Sequence, residues 1–263
     1  MARRPIAGAV LCSAVALLSG CDATTESTST NAAVVADSDG LTPVTTDLGY
    51  LVTLDTARFA LRDFELTIEG EAHASLWDRA RELLVATAHA HPGHYAGGEV
   101  TGELPGDRIV TWTAGGARAA LGTATLLEGD YHGLNFYFRT AGASDGLGAN
   151  DPLAGHSAVL SGHASKDGVD RAFTLVIDID DGTRVVGAPA EQVVRAGTPV
   201  TFGFQLLTQD PYAPGTLFDG LDFASLEADG PSGVVMTPGT ASHNIFRRTL
   251  ETHDFYFLAS TTP

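Results

Sequence analysis

Between residues 48 and 68 apolar and polar positions alternate. Leu48, Tyr50, Val52 and Leu54 fall opposite Gly49, Leu51 and Thr53, and Phe59, Leu61 and the run Phe64-Glu65-Leu66-Thr67-Ile68 continue the pattern. A period of two is that of a strand with one buried face. The period changes after Ser75. Leu76, Ala80, Leu83 and Leu84 recur at i, i+4, i+7 and i+8, one face of a helix. Ser75 suits its N-cap, Asp78 its first turn, and the helix is expected to stop before Pro92-Gly93. Short strand-like runs then follow at 99–103, 108–113, 119–127, 132–139, 157–163, 171–179, 193–195 and 199–207. Lys166-Asp167-Gly168 predicts a hairpin turn and Asp180-Asp181-Gly182 a second turn. Ser242 is the expected cap of a short helix reaching Leu250, and 254–258 reads as a last strand. Many short strands, two short helices and no alternating βαβ order predict a mainly β fold, an antiparallel β-sandwich with two short helices. One domain over 47–263 is the economical division, with the loop 141–155 as an internal seam.

The first 46 residues follow neither period. Arg3 and Arg4 precede an apolar run, Ile6 to Leu18, which is shorter than the roughly 20 residues of a spanning helix. Residues 1–20 therefore read as a signal peptide. The run ends in Leu18-Ser19-Gly20-Cys21, which resembles the lipobox of bacterial lipoproteins. That resemblance implies cleavage before Cys21 and a lipid (palmitate or another acyl chain) on its thiol. Residues 21–46 are rich in Thr, Ser, Ala and Asp and are expected to form a flexible tether. Asp22 resembles an inner-membrane retention signal. The expected location is the cell envelope, lipid-anchored on the periplasmic side of the inner or outer membrane.

Composition narrows the chemistry. Fifteen Lys and Arg stand against 32 Asp and Glu, a formal net charge of −17, and Lys166 is the single lysine. Such a chain does not track a nucleic-acid backbone or an anionic membrane surface by charge. Cys12 and Cys21 are the only cysteines. The first leaves with the signal and the second carries lipid, so the mature domain has no thiolate for an iron–sulfur, cysteine–zinc or blue-copper site.

Three of the nine histidines, His89, His91 and His94, lie within six residues around Pro92-Gly93. In an extended segment His89 and His91 point to one side, and a Pro-Gly turn brings His94 back toward them. Three neutral imidazoles then converge on one ion about 2 Å away, copper or zinc by ligand type. Two further candidates complete the set. His132 alternates with Leu134, Phe136 and Phe138 and is expected on the apolar side, as a core histidine or as a ligand at a strand mouth. His253 precedes Asp254, and a carboxylate beside an imidazole orients a ligand. His163 and His73 read as solvated, His243 as part of a helix start, and His156 as uninformative in its Gly-rich loop. Enzymatic signatures are thin: Ser157 and Ser161 stand near His156 and His163 without a nucleophile elbow. Acidic runs at 178–181 and 219–222 lack EF-hand spacing.

Two runs, 217–226 (LFDGLDFASL) and 243–256 (HNIFRRTLETHDFY), together with Glu128-Gly129-Asp130-Tyr131 and the hairpin at Lys166-Asp167-Gly168, are similar to the MbnP-like copper-associated periplasmic proteins. The resemblance is clearest in the second half of the chain. It implies a compact β-sandwich and copper binding through histidines, and it brings His253 and Asp254 to the site. The chain lacks that family's paired cysteines and has only Trp77 and Trp112. The expectation is a non-enzymatic, lipid-anchored protein that binds copper or zinc through a histidine-rich loop for delivery or scavenging, with an envelope protein as its partner. Its rival is a binding or adhesion module with incidental histidines. A metal-dependent hydrolase would further need an open coordination position and a base such as Glu99 or Asp254.

Overall fold

The computed structural model describes residues 29–68, 99–148, 150–230 and 233–261. Their strands are β1 (Ser29–Ala36), β2 (Val44–Thr45), β3 (Leu51–Thr67), β4 (Val100–Thr113), β5 (Ala119–Leu127), β6 (Gly129–Phe138), β7 (Ala158–Lys166), β8 (Val169–Ile177), β9 (Arg184–Val194), β10 (Val200–Leu206), β11 (Glu227–Asp229), β12 (Gly233–Met236) and β13 (Tyr256–Thr261). Their α-helix is α1 (Ala241–Leu250). The chain forms the mainly β, sandwich-like fold that its alternation predicts. Most pairs are antiparallel; β1–β10, β8–β12 and β9–β13 are parallel. The helix expected after Ser75 lies outside the described residues.

The pairings close on themselves. β3, β4, β5, β1, β10, β13, β9 and β6 are each bonded to the next, and β6 returns to β3. The length of β3 allows this. Leu51–Phe59 pairs with β7, while Leu61–Thr67 pairs with β6. Within the second half, where the register with β4 and β6 shifts after Arg62, Asp63 adopts φ 49°, and its carboxylate accepts the Gly106 N–H at 2.8 Å. β7, β8, β12 and β11 extend the sheet from the first half of β3.

Inward residues of the circuit form an aromatic core. Phe59, Phe64, Trp112, Phe136, Phe138, Phe204 and Tyr256 are fully buried, with edge-on contacts such as Phe136–Tyr256 at 4.9 Å. Each such ring contributes about 2–3 kcal/mol by leaving water. The polar tips are matched: Trp112 Nε1–H donates to the Phe204 carbonyl and the Tyr256 hydroxyl to the Leu250 carbonyl, both at 2.8 Å. A second aromatic group, Tyr50, Phe173, Phe218, Phe223 and Phe246, joins the extension to α1 and the loop before β11.

The tether expected over 21–46 is corrected by β1. This strand lies between β5 and β10, with Ala32, Val34 and Ala36 buried. The folded domain thus begins no later than Ser29, not at 47. Its inward residues are small, so the alternation hides in an Ala-, Ser- and Thr-rich stretch. The expected runs 99–103 and 108–113 form one strand, and 193–195 is only the end of the long β9. The predicted hairpin is present: Lys166 pairs with Val169, and Asp167 and Gly168 have φ of 52° and 78°, the signs of a type I′ turn. The cap of α1 is Thr240, whose Oγ1 accepts the His243 N–H at 3.1 Å, not Ser242.

Candidate functional site

His89, His91 and His94 lie outside the described residues, as does His73. The structure does describe where the segment bearing them departs and returns. Thr67 pairs with Val100, and the Ile68 N–H donates to the Glu99 carbonyl at 3.4 Å. Residues 69–98 are therefore an insertion rooted at one end of the β3–β4 hairpin. Thr67 also pairs with Gly133 across its other edge, so His132 stands beside that root.

His132 is exposed, which corrects the expectation that it faces the apolar side. The reason is a register shift. Tyr131 pairs with Gln192 and Gly133 with Pro189, so β9 advances three residues while β6 advances two. Such a bulge re-aims the neighbouring side chains. Tyr131 and Leu134 are both buried although three residues apart, and His132 turns to solvent between them. An exposed imidazole at a strand end is available as a ligand.

His253 precedes β13, partly buried, with Nε2 3.5 Å from an Asp254 carboxylate oxygen. Leu258 pairs in parallel with Ala190 of β9, and His132 lies level with the stretch between Pro189 and Gln192. Going back from Leu258 to His253 moves away from that level. The two histidines thus stand on strands separated by β9 and at different levels of the sheet.

Elsewhere the fold gathers histidines that sequence reading left aside. His156 Nδ1 lies 2.7 Å from an Asp178 carboxylate oxygen, and the Asp178 N–H donates to His243 Nε2 at 3.0 Å. His243 is buried; burial pushes its imidazole below the ordinary value. Ser157, weighed as a nucleophile, is also buried, and its hydroxyl donates to the Ile179 carbonyl and accepts the Ile179 N–H. That exchange fastens the start of β7 to the end of β8 and leaves the serine no free role. On the exposed sheet face His163 sits 3.1 Å from Asp170 and 3.8 Å from Asp55.

The acidic loops hold the fold. Asp219 accepts the Asp47 N–H, the Thr216 N–H and the Thr216 hydroxyl, and Asp222 accepts the Tyr50 hydroxyl at 2.5 Å. That hydroxyl and the Ala224 N–H hold the Asp222 carboxyl below the usual range. Among the described residues no group of three or more His, Cys, Asp or Glu is arranged to hold a metal ion, and no helix is long and apolar enough to cross a membrane. Comparison of the chain with protein-family models, curated proteins and solved structures gave no match.

Proposed function

We propose that this is a lipid-anchored protein of the bacterial cell envelope that binds one transition-metal ion, copper or zinc, through His89, His91 and His94, for delivery to or scavenging from its surroundings. Catalysis is not part of this reading. The supporting observation is the common root of the histidine-bearing segment. Both ends of 69–98 meet at the tip of a hairpin whose other residues are locked in the sheet. A metal binder built this way displays its ligands on an insertion while the core bears the cost of stability. His132, exposed beside the root, is the fourth ligand of this reading; His253, on a different level of the sheet, is not. Each imidazole binds the ion in its neutral form, so protons compete with metal.

The anchor on Cys21 belongs to the same proposal. With β1 starting at Ser29, the link from Cys21 spans at most about 28 Å. The domain then rides close to the bilayer. The strong negative charge keeps it off anionic lipid and favours a cationic cargo.

The test is the metal content of the mature chain purified without an affinity tag, for wild type, His132→Ala and His253→Ala. The proposal expects close to one copper or zinc per chain, a lower content for His132→Ala and an unchanged content for His253→Ala. Wild-type protein that retains no metal after exposure to either ion refutes it and leaves the adhesion reading. Loss confined to His253→Ala refutes the assignment of His132.

A further inference from the structure

We infer that His243 is an acid-sensitive latch, holding the first turn of α1 on the end of β8 at neutral pH and releasing it on protonation. Geometry sets the protonation state. His243 Nε2 accepts the Asp178 backbone N–H at 3.0 Å, which only a neutral imidazole with its hydrogen on Nδ1 does. The residue is 3% exposed, and Nδ1 has no hydrogen-bond partner among the described residues. A second proton would set N–H against N–H and bury an unpaired charge.

Burial outweighs the adjacent Asn244 side chain and the Asp178 charge, both of which favour that proton. From the end of β8 Asp178 faces the ring, but its carboxylate is taken by His156 at 2.7 Å. From the next turn of α1 Arg247 opposes a positive charge, and it is paired with Glu251 at 3.0 Å. In the loop that packs Phe218 on α1, Asp219 and Asp222 are both occupied by donors of their own. Burial is the leading cause that lowers the imidazole. Since the folded value lies below the unfolded one, the latch is fully held above about pH 6.5 and weakens as pH falls below it.

Release is confined to one end. Phe246 stays stacked on Phe218 at 5.7 Å, and Leu250 stays held by the Tyr256 hydroxyl. Among the described residues the turn that begins at Thr240 is held by its cap and by the His243–Asp178 bond.

The experiment is site-resolved hydrogen exchange on the intact mature protein at pH 7.5 and 5.0, corrected for intrinsic rates. A freed imidazole of pKa about 6.5 is protonated about 30-fold over neutral at pH 5.0, so opening at the Asp178 amide should rise by up to that factor. His243→Gln, whose side-chain oxygen still accepts the N–H without titrating, should show no rise. A wild-type amide without pH dependence overturns the latch. So does a rise that persists in His243→Gln, including one that vanishes in His156→Gln and so belongs to the other histidine. Should His243→Gln not fold, titration of the His243 ring in wild type decides. The latch requires a midpoint below about 6.5 with the Asp178 amide shifting in step. A midpoint at or above that value, or a silent amide, overturns it.

Discussion

Replacing Asp145 with alanine would strand a guanidinium inside the protein. Arg139 and Asp145 have side-chain exposures of 6% and 8%. Arg139 donates from Nη1 to one carboxylate oxygen at 2.9 Å and from Nη2 to the other at 2.5 Å, the fork geometry of a strong pair. Its Nε donates to the Leu61 carbonyl at 3.1 Å, and Asp145 also accepts the Gly142 N–H at 2.7 Å. The pair thereby ties the end of β6 to β3 and to the loop 141–155. Removing one partner of such a pair costs about 3–5 kcal/mol. Asp107, 3.8 Å from Arg139 Nε, offers partial compensation, so the lower end is expected, about 3 kcal/mol. For a domain of this size that lowers Tm by about 6–12 °C, measurable by urea unfolding and by calorimetry. Arg139→Met with Asp145→Ala should recover much of the loss, since no charge is left buried. Arg139 holds the Asp145 carboxyl below the usual range. Its contribution is therefore present above the unfolded value of about 3.9 and lost as pH falls through the folded one. Wild type and variant should converge in acid. A loss under about 1 kcal/mol at pH 7 would show the pair behaving as a surface ion pair and refute the reasoning.

Three further outcomes follow from the fold and the anchor. Deleting residues 22–36 should abolish the cooperative melt seen by circular dichroism, because β1 fills the place between β5 and β10; a deletion that melts like wild type would restore the tether. Gly162→Ala should be severely destabilising in urea titration, since a Cβ there would stand 2.1 Å from the Thr53 carbonyl oxygen and 2.9 Å from the Phe173 ring; tolerance would mean that β3 and β7 are less closely apposed. Cys21→Ala should leave the membrane fraction or accumulate as uncleaved precursor, and fractionation like wild type would remove the lipid anchor from the account.

Much of the β pattern was legible because it is local. Tyr50, Val52 and Leu54 alternate inward as their spacing requires, and the turn at Asp167-Gly168 follows from residues that tolerate positive φ. Leu48 shows the limit, for it is exposed although the alternation sets it with the inward residues, whereas Leu51 on the opposite face is exposed as the alternation requires. β1 was illegible because alanines carry its inward face, and a strand packed on both edges needs little bulk at a crowded centre. His132 was misread because a register shift on a neighbouring strand, 57 residues from Pro189 in sequence, breaks its alternation. The contact of His243 with Asp178 joins positions 65 apart through a backbone N–H, which leaves no trace in residue types. A His-Asp neighbour such as His253-Asp254 is visible in sequence, yet its level relative to His132 is set by three strands.

The most direct measurement is calorimetric titration of zinc and, separately, copper(II) into the untagged mature protein and into its His91→Ala/His94→Ala variant, at pH 7.5 and 5.5. The expected result is one ion per wild-type chain, weaker binding at the lower pH because protons occupy the imidazoles around their ordinary pKa of about 6.5, and no tight binding in the variant. Equal affinity in the variant would contradict it.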